Sequence, residues 1–211
     1  SPQMVRIKLV ERICSKIRDS EYMLSHIPYS SGMEKILNEF KWKNIMIIRD
    51  PRDQCASVLH KLKKKKNNPA SRYLYESLKT DSDRIKALID GYDGRNNIRG
   101  MISLDAMYKS ALDWKGKGNF IFVKFEELIG TKGGGNQEKQ KETIIKILKH
   151  LNYKHYENDE FVEWIGQNCF GITNSFWKGQ KGNWKNVFDK KIHKIFENQI
   201  SDLLHNLGYD V

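Results

Sequence analysis

Apolar residues recur at steps of three and four through much of the chain, and such stretches predict one-sided helices. Residues 5–17 place Val5, Ile7, Leu9, Val10, Ile13, Cys14 and Ile17 on one face. Met33, Ile36, Leu37 and Phe40 predict a second helix over 32–40. Between them, residues 21–27 (Tyr22, Met23, Leu24 and Ile27 around Ser25 and His26) read as a strand that stops at Pro28. Proline removes a ladder donor and constrains its predecessor. Residues 44–48 are apolar almost throughout, which suits a strand buried on both faces of a parallel sheet. A helix over 51–62 follows at once, and residues 120–125 give a third strand. Further helices are expected over 72–78, 83–89, 98–114, 143–151, from 161, and over 192–207, where Gly208 is placed to stop the last one. Residues 91–97 and the glycine run 133–135 read as loops, the second of them flexible, and 171–189 as an ordered loop.

Strands alternating with helices imply an α/β fold, a mainly parallel sheet in the middle of three layers with helices on its faces. A length of 211 residues fits one domain with a real core. No stretch of about 20 apolar residues exists, so no membrane span is expected. Ser1-Pro2-Gln3-Met4 lacks the regions of a signal peptide. Cys14, Cys55 and Cys169 are widely spaced, with no CxxC pair and no disulfide framework. Buried free thiols in a reducing cytosol follow, and a cytoplasmic location is the expectation. The six histidines show no metal-ligand spacing, so no metal is implied.

The formal net charge of +11 draws anions. Nucleic acid, an acidic glycan and a multiply phosphorylated cofactor are all compatible with it. No nucleic-acid-binding motif accompanies the charge, so nucleic acid is not the expected partner. The lysine run over 61–66 reads as a solvated helix end or loop.

Two segments carry candidate chemistry. In the first, the strand over 44–48 delivers Arg49 to its carboxyl end, where ligands of open α/β sheets bind. Asp50 is a natural N-cap and Pro51 suits a first helical turn. Free amides at a helix start attract phosphate, Arg49 adds a bidentate contact, and Ser57 offers a hydroxyl two turns on. A surface Arg52–Asp53 pair with a cap accounts for the same residues, and on physical grounds the two readings are level. The second segment spans residues 176–188, where Gly179 and Gly182 stand among lysines between aromatic residues. Glycines there let backbone approach an anion closely. A structural loop with solvated lysines is the other reading.

Taken in order, these pieces resemble the sulfotransferase family that uses 3′-phosphoadenosine-5′-phosphosulfate (PAPS). The family's "RdPRDvavS" falls on residues 49–57, with Arg49 and Ser57 as the 3′-phosphate ligands. Its "fRKGxxGdWKnxF" loop is similar to residues 176–188, which puts Lys178 and Gly179 on the same phosphate; Trp177 stands where the family has an Arg. Residues 122–128 resemble "vxYEdL", with Phe125 where Tyr often lies near the adenine, and 203–209 resemble "dLLxxLGY". The family's "kTHlPy" segment matches residues 24–29, so the resemblance makes His26 the catalytic base, with Leu24 where the family has a Lys. A histidine near neutral pKa suits removal of a hydroxyl proton.

The resemblance implies a fold like that of the P-loop nucleotide hydrolases. It also implies transfer of a sulfuryl group from PAPS to a hydroxyl of a small molecule or glycan. The family's "PKsGTtwl" phosphate loop has no counterpart ahead of His26, and Ser1 to Ser20 contains no glycine. The expectation is therefore a single sulfotransferase-like domain over 1–211 without its first strand and phosphate loop. The helix over 5–17 fits the one that follows that loop in the family. A non-catalytic module that binds 3′-phosphoadenosine, or another polyanion, is the alternative.

Overall fold

The computed structural model of the protein describes residues 7–65, 68–94, 100–169, 171 and 178–210. The chain begins with α1 (Ile7–Cys14) and α2 (Ser31–Glu39), then enters β1 (Asn44–Ile48) and α3 (Pro51–Lys64). A short α4 (Pro69–Arg72) runs into a π-helical turn at Tyr73–Ser77 and is followed by α5 (Asp81–Asp90) and α6 (Leu104–Leu112). Strand β2 (Phe120–Lys124) leads directly into the single turn α7 (Phe125–Leu128). Helices α8 (Gln137–His150), α9 (Asp159–Asn168), the short α10 (Trp184–Val187) and α11 (Lys190–Asn206) complete the order.

The two strands are parallel and in register from Asn44 against Phe120 to Ile48 against Lys124. Strand residues alternate between faces. Met46, Ile48 and Phe122 point into the main core, with Cys55, Ala56 and Leu59 of α3, Tyr108 of α6, and Phe196, Leu203 and Leu204 of α11. On the opposite face Val123 is buried, and α8 reaches β2 through Lys146 Nζ, which donates to the Phe122 carbonyl at 2.8 Å. A second cluster joins Met33 and Leu37 of α2 to the buried Trp114, whose ring lies 4.7 Å from that of Phe120. A third packs Ile144 and Leu148 of α8 against Val162 of α9.

Several expectations are corrected. Residues 21–27 form no strand: they have no ladder partner among the described residues, and Tyr22 and Leu24 are 83% and 86% exposed. The segment is tied to the core by side chains instead. Trp114 Nε1 donates to the Ile27 carbonyl at 3.0 Å, and Tyr29 donates its hydroxyl to Glu34 at 2.9 Å. Nor is β1 buried on both faces, since Ile47 is 55% exposed. The helix expected from residue 98 begins at Leu104, because Ser103 caps it by accepting from the Ala106 amide. Met101 is drawn into an antiparallel bridge with Tyr92, and Ile98 lies outside the described residues. Side-chain caps at Asn136 and Asn158 start α8 and α9 earlier than the apolar spacing suggested. The run 133–135 is not a loose tether. Gly133 is buried, and a Cβ on it would stand 2.6 Å from the Gly179 carbonyl.

Candidate functional site

The site is built where β1 ends and α3 begins. Asp50 caps α3 by accepting from the Arg52 amide at 2.8 Å. The turn is held from two further directions. The Asp50 amide donates to Glu126 Oε1 of α7 at 2.9 Å, and the Tyr108 hydroxyl of α6 donates to the Arg49 carbonyl at 2.6 Å. Glu126 also accepts from the Tyr209 hydroxyl at 2.8 Å, which ties the end of the chain to the same turn. Burial is the main cause that raises the pKa values of Tyr108 and Tyr209, so both remain protonated donors.

The surface pairing of Arg52 with Asp53 is not what forms. Arg52 is buried and pairs with Asp50 at 2.9 Å, while its guanidinium lies 4.3 Å over the Trp184 ring. Asp53 is 1% exposed and accepts from two backbone amides of the late loop, Gly182 at 2.7 Å and Trp184 at 2.9 Å. Burial pushes its carboxyl pKa up, while the two amide bonds and the charge of Arg49 pull it down.

These contacts bring the late loop against Arg49. The Arg49 guanidinium stacks 4.4 Å from the Phe125 ring centre, and its Nη2 donates to the Gln180 carbonyl at a long 3.3 Å. Its Nε is buried with no hydrogen-bond partner among the described residues. A buried donor left unpaired costs roughly 1–3 kcal/mol, so native structures seldom keep one without a use. Gly179 and Gly182 take left-handed φ values of 60° and 70°, which only glycine adopts freely. The Lys181 amide donates to the Gly133 carbonyl at 2.9 Å, so the loop is pinned on a second side. Lys178 Nζ donates to Asn183 Oδ1 at 3.3 Å.

Ser57 lies four residues beyond Asp53, on the helix face that meets the loop. His60, one turn further, has its pKa lowered by burial first and then by Lys64, Lys178 and Lys63. Lys178 is therefore close enough to this face for its charge to be felt there. Arg49, Phe125, Lys178, Gly179 and the Ser57 face of α3 thus gather around the late loop. His26 is set apart: it is exposed on the segment that packs against Trp114. Trp177 lies outside the described residues.

The Asp53 clamp, the Arg52–Trp184 stack and the Glu126–Tyr209 brace were not anticipated as a network. The letters hold a second aspartate one turn into α3 and a carboxylate just after β2, but their partners are distant in sequence. Among the described residues no cluster of three or more His, Cys, Asp or Glu side chains is placed to hold a metal ion. No described helix is long and apolar enough to cross a membrane.

The sequence model of the Sulfotransferase domain family matches residues 7–208. The chain belongs to the sulfotransferase domain family. Among solved structures it is similar to mouse sulfotransferase SULT7A1, crystallised in complex with PAP. The two chains are 19% identical, with a TM-score of 0.59 over 82% of this chain and 62% of that one. This chain thus spans less than two thirds of that protein's length, and the likeness shows the α/β fold. No curated protein matches the chain in sequence. Within this sulfotransferase domain the "RDPRD" turn and the late loop, read separately as candidate anion sites, form one continuous structure.

Proposed function

We propose that this domain binds PAPS and transfers its sulfuryl group to a hydroxyl-bearing acceptor. The observation that carries the reading is the buried, unpaired Nε of Arg49, set between the Phe125 ring and the glycine-rich late loop. Arg49, Ser57, Lys178 and Gly179 hold the 3′-phosphate, the first through charge-assisted bonds and the last through its backbone. Phe125 carries Arg49 on one face and takes the adenine at the other. The pairing of cation, glycine backbone and aromatic ring fits a phosphorylated nucleoside better than a plain polyanion, which needs no ring.

His26 takes the proton from the acceptor hydroxyl as its oxygen forms a bond to sulfur. The bond between sulfur and the bridging phosphate oxygen breaks, and 3′-phosphoadenosine-5′-phosphate (PAP) leaves with that electron pair. Such transfers depend on in-line positioning and charge stabilisation more than on covalent help. The exposure of His26 leaves it open to an incoming acceptor. Its segment is positioned through the Trp114 bond to Ile27. Three free cysteines, two of them buried, support work in the reducing cytoplasm.

The full-length protein, given PAPS with a labelled sulfur, is expected to label a phenolic or sugar hydroxyl from an acceptor panel. His26→Ala is expected to lower turnover by roughly 100-fold or more while PAP affinity is retained. Undiminished transfer by that variant contradicts the role given to His26.

A further inference from the structure

We infer that Asp53, which lies off the ligand, is the positioning residue that sets selectivity for the 3′-phosphate. The inference rests on the PAPS reading above and extends it. Arg49 and Gly179 belong to segments 130 residues apart in the chain, and a 3′-phosphate can be held by both only if their separation is fixed. Asp53 supplies that constraint. It stands on the first turns of α3, four residues after Arg49, and its two carboxylate oxygens accept from the amides of Gly182 and Trp184. The carboxylate is fully buried and packed below the same loop that carries Lys178 and Gly179.

Other anchors act beside it: the Arg52 guanidinium holds Trp184 by its ring at 4.3 Å and leaves the Gly182 amide to Asp53. Arg49 meets the loop through one long bond to Gln180, and the Lys181 amide bond to Gly133 fixes the loop's outer side against residues 130–135 without reaching α3. The loop turns through Gly182 at a φ of 70°, a conformation that glycine takes without steric cost and other residues do not. Its amide donates to Asp53 from that conformation, so the carboxylate and the left-handed turn support each other. An asparagine at 53 keeps the shape but turns one acceptor oxygen into a donor facing an amide N–H. The loop then shifts away from α3, and Gly179 and Lys178 part from Arg49. The adenosine and 5′ portions of the ligand make no use of this clamp.

The test is titration calorimetry of PAP and of adenosine 5′-monophosphate (5′-AMP), which lacks the 3′-phosphate, into wild type and Asp53→Asn. Circular dichroism and a melting curve establish that the variant is folded. The expected result is PAP affinity reduced by about 10-fold or more with 5′-AMP affinity unchanged, so that the preference collapses. Gly182→Ala perturbs the same clamp from the other side. A Cβ there meets nothing within 4 Å, so its effect comes from backbone strain alone. It is expected to give the same selective loss, and it carries the test if Asp53→Asn does not fold. A wild type that prefers PAP, with variants that keep that preference, overturns the inference alone. Equal loss for PAP and 5′-AMP also overturns it, because it marks a general structural role. A wild type that shows no preference for PAP overturns the PAPS reading and this inference with it.

Discussion

The guanidinium of Arg49 rests 4.4 Å from the centre of the Phe125 ring, the first residue after β2. The two residues sit at the ends of the paired strands, so the parallel register of the sheet is what brings them together. The stack leaves the Arg49 Nε buried, with no hydrogen-bond partner among the described residues.

Replacing the ring should therefore weaken the phosphate site at a distance. Phe125→Leu loses the cation–π contact and, on the proposed reading, the stacking surface for the base. The expected cost is about 1–2 kcal/mol, roughly 5- to 30-fold in PAP affinity, measured by calorimetry. An unchanged affinity would show that Arg49 holds its place without the ring.

Arg52 and Asp50 offer a test of burial against mere surface pairing. Both side chains are less than a tenth exposed. A surface pair contributes roughly 0–1 kcal/mol, whereas removing one member of a buried pair costs about 3–5 kcal/mol by stranding the other. Arg52→Ala also loses its stack on Trp184. Denaturant unfolding should place the variant in the larger range. A loss below about 1 kcal/mol contradicts the buried arrangement.

The stability of the domain should fall in mild acid. Burial lowers the pKa of His60, with help from Lys64, Lys178 and Lys63, and burial with Lys43 lowers that of His150. A histidine whose folded pKa is depressed contributes stability that is present above its unfolded value. That stability is lost as pH falls through the folded value. The melting temperature should thus drop between pH 7.5 and about pH 5.5, around the ordinary histidine value. His60→Gln should lose less over that range than wild type, with His150 supplying the remainder. Identical slopes for the two proteins contradict the burial of His60 beside these lysines.

The parts of this site that the sequence shows plainly are local ones. Asp50, Pro51 and the apolar run ending at Ile48 specify a strand, a cap and a helix within a few residues, and they form as expected. What escaped depends on distance. Asp53 has its partners 129 and 131 residues away, and those partners are backbone amides that carry no letter in the sequence. Arg52 looks like a surface charge until Trp184 covers it. The expectation of a strand over 21–27 fails for the same reason: strand residues can be read locally, but a ladder needs a neighbour. The resemblance to a family supplied order along the chain, and through it Phe125 and the phosphate role of Gly179, which periodicity alone does not single out.

The central claim is that Arg49 and the late loop recognise a 3′-phosphate. Titration of PAP into wild type and Arg49→Ala tests it most directly. The account predicts that wild type binds PAP and that Arg49→Ala binds it at least about 100-fold more weakly, since a buried charge-assisted contact is lost. Equal affinity in the two proteins contradicts the account.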